Sequence, residues 1–124
     1  MSKIIHTDKA PQAIGPYSQA VVLGNIVFTS GQIAINPESG AVEATTIEEQ
    51  THRVCQNLKA VLEASGSSLE KVLKTTCFLS DMSDFAAFNA VYGLYFTGKP
   101  ARSCVAVKTL PKEVLVEVDA IAEI

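Results

Sequence analysis

The chain has 124 residues, 48% of them hydrophobic and 19% charged, with a net charge of −3. That is enough chain to bury a core and enough apolar content to need one, which sets aside disordered and fibrous classes. The acidic balance and the lack of any Lys/Arg run argue against nucleic acid as a partner, and no apolar run approaches the roughly 18 residues of a membrane span. One domain over residues 1–124 is expected. Cys55, Cys77 and Cys104 lie far apart and in no CxxC pair, so a reducing cytoplasm is the expected setting.

In chain order, residues 1–6 lack the apolar stretch of a secretory signal and read as a flexible start. Residues 17–35 read as strands broken at Gly24-Asn25, a two-residue hairpin signal because both residue types tolerate positive φ. A turn follows at Asn36-Pro37-Glu38-Ser39-Gly40. Thr46 and Glu49 have the spacing of a capping box and open a helix that closes near Gly66. Its Ile47, Val54, Leu58, Val61 and Leu62 recur at helical spacing. Residues 72–79 form a strand. Ser83 or Asp84 then starts a second helix, with Phe85, Phe88, Val91, Tyr92, Tyr95 and Phe96 on its apolar stripe. Strands over residues 101–107 and 114–123 follow, separated by Leu110-Pro111-Lys112.

The order β-β-β-α-β-α-β-β predicts an α+β fold with both helices on one face of a sheet. In the last strand Val114, Val116, Val118, Ala120, Ala122 and Ile124 alternate toward the helices, while Leu115, Glu117, Asp119, Ile121 and Glu123 point the other way. Arg102, Cys104 and Ala106 share a face of the preceding strand and are expected on the same side as Glu117. No third helix remains to cover that face, so association of subunits through it is expected, with Arg102 and Glu117 near the boundary.

Arg102 and Glu117 are each a charge within an apolar strand-like run, where charges belong to a wet face or a site. The guanidinium fork of Arg102 suits a carboxylate held by two hydrogen bonds. The alternative is a structural ion pair between Arg102 and Glu117 across neighbouring strands. Only two histidines, His6 and His52, are present, and their spacing fits no zinc site; no metal or cofactor is expected. Nucleophile-elbow, P-loop and dinucleotide motifs are lacking. Cys104 has no nearby histidine to activate it, which favours a packing or backbone role. Tyr17 follows the turn Ile14-Gly15-Pro16, and Gly31 interrupts a strand where another group can approach closely or a bulge can form.

Four segments in order carry a resemblance: Ala13-Ile14-Gly15-Pro16-Tyr17-Ser18-Gln19-Ala20, Phe28-Thr29-Ser30-Gly31-Gln32-Ile33, Pro100-Ala101-Arg102-Ser103-Cys104-Val105, and Leu110-Pro111-Lys112 with Val116-Glu117-Val118. Over essentially its whole length the chain resembles the RidA (YjgF-type) family of reactive-intermediate deaminases. The resemblance implies a chorismate-mutase-like homotrimer, with sheets inside, helices outside and sites in the clefts between subunits. It implies that Arg102 grips a small-molecule carboxylate substrate and that the backbone at Cys104 supplies donor and acceptor groups. Tyr17, Ser30, Gly31, Asn89 and Glu117 would line or support the cleft, with Glu117 near the hydrolytic water. Only Gly98-Lys99 stands between Phe96-Thr97 and Pro100-Ala101, where many relatives carry several more residues, so that pocket wall is missing or rebuilt.

The activity so implied is hydrolysis of 2-iminobutanoate and 2-iminopropanoate, which arise from the enamines released by PLP-dependent dehydratases, to 2-keto acids and ammonia. Arg102, Glu117 and Tyr17 would be its catalytic residues. Two other classes stand beside it: a metabolite-binding regulator without turnover, and RNA cleavage or translational inhibition. The acidic balance weighs against the last.

Overall fold

The computed structural model describes all 124 residues. Six strands and two α-helices form: β1 (Lys3–Ile5), β2 (Ala20–Leu23), β3 (Ile26–Thr29), α1 (Ile47–Ala64), β4 (Val72–Leu79), α2 (Phe85–Tyr95), β5 (Ala101–Ala106) and β6 (Val116–Glu123). They make one mixed sheet in the order β1-β2-β3-β6-β4-β5. Its neighbours are antiparallel except β4 and β5, which run parallel because α2 carries the chain back across the sheet.

Local sequence accounts for most boundaries. Gly24 takes a φ of 62° in the β2–β3 turn, a conformation glycine enters without a Cβ penalty. The side chain of Thr46 accepts from the Glu49 N–H at 3.1 Å, and the Glu49 carboxylate accepts from the Thr46 N–H at 3.3 Å, which closes the capping box at the start of α1. The helix ends at Ser65, with Gly66 at φ 87°. α2 starts where the sequence suggests, after Asp84, though the side-chain capping bond belongs to the turn before it. Asp81 accepts from the Ser83 N–H at 2.8 Å, a single tight turn covers Met82–Asp84, and Asp84 precedes the helix proper without a capping bond of its own.

Two expectations fail near the start of the chain. Residues 1–6 are not simply a flexible lead, because Lys3–Ile5 pairs antiparallel with β2, Ile5 lying opposite Ala20. Residues 17–35 hold two strands, not three. After Thr29 the chain leaves the sheet, and Gln32 touches β6 only through an isolated bridge to Val118. The string of elements survives because β1 takes the place of the missing third strand.

Both helices pack on one face, over a core of 22 buried residues that includes Val54, Leu58, Leu62, Cys77, Phe88 and Val118. Within β6, Val116, Val118, Ala120 and Ala122 are buried in alternation with half-buried Glu117, Asp119 and Ile121, the pattern of a strand covered on one side. On the other side Ile4, Leu23, Phe28 and Val105 are all at least 45% exposed. No helix is long and apolar enough to cross a membrane.

The register corrects the placement of Arg102. It lies opposite Thr75 on β4, and Thr75 lies opposite Ala120 on the helix side. Glu117 lies opposite Phe78, on the bare side. Arg102, Cys104 and Ala106 therefore face the helices, and Glu117 faces away from them. Strand β4 also separates β5 from β6, so the two charges are not on neighbouring strands and form no ion pair. The one approach of a basic to an acidic side chain within 4 Å is His6 Nε2 to Asp8 Oδ1, at 3.8 Å.

Candidate functional site

The expected residues fall into two groups on opposite faces of the sheet. The first surrounds a cleft of about 390 Å³ whose walls include Tyr17, Ser30, Gly31, Gln32, Pro111 and Glu117. Ser30 is fixed twice: its hydroxyl donates to the Ser18 carbonyl at 2.6 Å and its N–H donates to the Gln19 carbonyl at 2.9 Å. Gln32 and Val118 exchange backbone bonds of 2.9 and 3.2 Å, which ties the Ser30–Gln32 segment to the strand bearing Glu117. Gly31 is needed for space. A Cβ there would lie 2.6 Å from Glu117 Oε2 and 2.9 Å from its Cδ, so the carboxylate rests directly on the glycine. Burial, with a smaller contribution from the like charge of Asp119, raises the Glu117 pKa above the ordinary 4.5. Before β6, Lys112 and Glu113 hold φ of 55° and 54°, strained values for non-glycine residues beside the cleft wall at Pro111.

The second group gathers on the helix side at the β5 edge. Arg102 Nη1 donates to Asn89 Oδ1 at 2.7 Å. The guanidinium carbon lies 4.9 Å from the Tyr92 ring centre and 5.4 Å from that of Phe85, so part of the aromatic stripe of α2 is a bed for this cation. Tyr92 is itself held, by a 2.7 Å bond between its hydroxyl and that of Thr75 and by stacking on Phe96 at 4.4 Å. No carboxylate neutralises Arg102. A guanidinium on aromatic faces with one amide partner keeps donors free for an anion. Cys104, two residues along, is half-buried; burial raises its thiol pKa against the smaller opposing pull of Arg102, so sulfur stays protonated at neutral pH. β5 pairs with β4 alone, so the backbone groups on its outer side have no partner strand. That setting suits a backbone role for Cys104 better than a nucleophilic one.

Beside Arg102, a second hollow of about 330 Å³ is walled by Phe96, Lys99 and Pro100. Here Lys99 takes a φ of 51° and donates its N–H to Phe96 O at 3.3 Å, which closes the short connection from α2 to β5. No three His, Cys, Asp or Glu side chains come together as a metal centre requires.

The structure thus joins Arg102 with Asn89 and Cys104, and joins Tyr17 with Ser30, Gly31 and Glu117. It does not join the two groups within one chain. Gln32 and Pro111 escaped the sequence reading as cleft residues. Gln32 had a usable signal, being an amide that directly follows the glycine where the strand-like stretch Phe28 to Ile35 is interrupted.

The profile of the family described as Endoribonuclease L-PSP matches residues 7–124. A RutC family protein of Pyrococcus abyssi is 53% identical over 121 residues, covering 97% of this chain and 95% of its own. The 2-iminobutanoate/2-iminopropanoate deaminase of Escherichia coli is 49% identical over 126 residues, covering 98% of each chain. Among solved structures, a putative endoribonuclease of Thermotoga maritima superposes with a TM-score of 0.97 at 55% identity, over 100% of this chain and 98% of the other. E. coli TdcF with bound serine gives 0.94 at 44% identity, over 98% of each. With two helices on a mixed six-stranded sheet, and the four motifs in place along that full length, the chain belongs to the RidA (YjgF/RutC) family.

Proposed function

We propose that this protein hydrolyses small 2-imino acids such as 2-iminobutanoate and 2-iminopropanoate to 2-keto acids and ammonia, at sites shared between neighbouring subunits of a chorismate-mutase-like homotrimer. The observation that carries the proposal is the division of the site: an unneutralised Arg102 on one face, and Glu117 with its cleft on the other. A second copy laid against the bare apolar face is the economical way to bring a Glu117 cleft to an Arg102 edge. Residues 1–124 act as one domain in this reading. The setting is cytoplasmic, in keeping with three free cysteines.

The chemistry follows from the groups available. Arg102 takes the substrate carboxylate by two hydrogen bonds and converts an encounter into an oriented complex. Outer backbone groups of β5 near Cys104 align the substrate. The protonated C=N carbon is already electrophilic, so a water oriented and deprotonated by Glu117 suffices to attack it. A proton moves to nitrogen, the C–N bond of the resulting carbinolamine breaks, and ammonia leaves with the keto acid. The raised pKa of Glu117 suits a base, since proton transfer is favoured when the base's pKa approaches the working pH. Tyr17, half exposed at the cleft edge, closes the site and steers a proton.

The test couples the purified protein to a PLP-dependent threonine dehydratase supplied with threonine or serine, with semicarbazide trapping unreacted imine. The expected result is loss of the trapped imine with wild type and its persistence with Arg102→Ala; persistence with both proteins overturns the reading. Activity is expected to fall as pH drops through the Glu117 pKa, so the acid limb of the rate profile lies above 4.5 and vanishes in Glu117→Gln.

Subunit mixing tests the shared site. Arg102→Ala and Glu117→Gln, each strongly impaired alone, are combined in equal amounts and allowed to exchange. Random trimers place an intact arginine against an intact glutamate at about one site in four, so roughly a quarter of wild-type activity returns. Mixed trimers, seen by native mass spectrometry, that stay inactive would show that both residues act from one chain.

A further inference from the structure

We propose that Gln50 and Asn57, on the buried side of α1, are positioning residues that hold Gly31 against Glu117 across the floor of the cleft. The proposal depends on the deaminase reading only for its kinetic readout. Both amides are buried, with exposures of 5% and 0%. Seven residues apart, they lie on one side of the helix two turns from each other.

Their partners are the two chain segments that meet at the cleft floor. Gln50 Oε1 accepts from the Leu115 N–H at 2.8 Å, two residues before Glu117, while its amide group donates to the Ala44 carbonyl at 3.1 Å. Asn57 Nδ2 donates to the carbonyls of Ile33 and Ile35, at 3.1 and 3.0 Å, two and four residues after Gly31. One rigid helix therefore grips both the strand that carries the carboxylate and the segment it rests on. The other ties between them are the Gln32–Val118 backbone pair and, two residues before Gly31, Thr29 Oγ1, which accepts from the Ala120 N–H at 3.0 Å. Gly31 and Glu117 are so close that no Cβ fits between them, so a slide of a few tenths of an ångström in either segment alters their contact.

The rest of Asn57 argues that its donors are what matter. Its Oδ1 is buried without any hydrogen-bond partner. An orphaned amide oxygen costs stability, and an apolar residue of the same shape would avoid that cost. What the apolar residue cannot do is donate to the partly buried carbonyls of Ile33 and Ile35 at once and fix the spacing of a segment that has left the sheet. The side chain is polar here at the core's expense, and the segment it fixes is a cleft wall.

The test follows Glu117 directly. Its carboxyl is titrated by carbon-13 NMR in wild type, Asn57→Leu, Gln50→Met and Thr51→Val, beside the pH profiles of kcat and KM. Thr51 is equally buried, but its hydroxyl bonds only to Ile47 within the helix, at 2.7 Å, so it reports loss of helix stability alone. Asp119 on the same face of β6, Lys74 on β4 and Tyr17 across the cleft remain in every variant.

Releasing the floor admits water, so the Glu117 midpoint is expected to fall toward its ordinary range. In the same variants kcat should drop about tenfold with KM held within about twofold, since the carboxylate clamp lies elsewhere. Thr51→Val should lower the melting temperature and move neither. Unchanged Glu117 titration in assembled Gln50→Met and Asn57→Leu overturns the proposal, as does an equal shift in Thr51→Val. Should Asn57→Leu fail to assemble, Gln50→Met decides. If wild type proves inert toward imines, the titration still gives the answer.

Discussion

Arg102→Ala is expected to lower kcat/KM for a 2-imino acid by at least about 30-fold, the rate equivalent of the lower end of the ~2–5 kcal/mol range for truncating a buried charge partner. The environment of Arg102 makes the loss specific. Its guanidinium rests on the Tyr92 and Phe85 rings, is aimed by Asn89 at 2.7 Å and meets no carboxylate of its own chain. In the proposed clamp, removing it takes away the guanidinium fork and leaves Lys99 as the one cation of that hollow, while the fold loses only a side chain at a sheet edge. Arg102→Lys should recover part of the binding but little of the orientation, because an ammonium is a point charge and cannot present two parallel donors. Steady-state kinetics on assembled protein decides the matter; Arg102→Ala within threefold of wild type would remove the clamp from the mechanism.

The second large effect is expected at Gly31→Ala. The new methyl would lie within 3.1 Å of three Glu117 side-chain atoms, Oε2, Cδ and Cγ, so more than the flexible tip of the glutamate must move. The obstacle is crowding alone, because Gly31 does not hold a positive φ. Displacing a catalytic base by about 1 Å costs on the order of 100-fold in rate. The loss should appear in kcat while KM stays near wild type, since Arg102 lies on the opposite face. A double-mutant cycle checks the route. Added to Glu117→Gln, Gly31→Ala should cost little more, whereas fully additive losses would mean that the glycine acts on something other than the glutamate.

Much of this arrangement was legible in the residues. Thr46 with Glu49, Gly24 with Asn25 and the spacing of Val54, Leu58, Val61 and Leu62 each specify local geometry through contacts a few residues apart, and each formed as read. The alternation in β6 likewise gave its two faces correctly. What failed depended on partners distant in sequence. The phase of Arg102 relative to Glu117 is set by β4, which lies between their strands, and no period within either strand can reveal that. β1 was missed because Lys3, Ile4 and Ile5 are too few to show a pattern, and only pairing with β2 makes them a strand. No motif along the chain singles out Gln50 and Asn57; their two targets, near residues 34 and 115, are visible only in three dimensions.

The bare side of the sheet has a consequence for how stability is to be measured. Ile4, Leu23, Phe28 and Val105 remain wet in the single chain. If their burial awaits a second copy, folding and association are a single thermodynamic event, and the law of mass action governs both. The midpoint of thermal unfolding then becomes a function of dilution, rising with the logarithm of protein concentration instead of standing as a constant of the chain. A cell that makes little of this protein would hold it less firmly folded than one that makes much, with no change in a single residue.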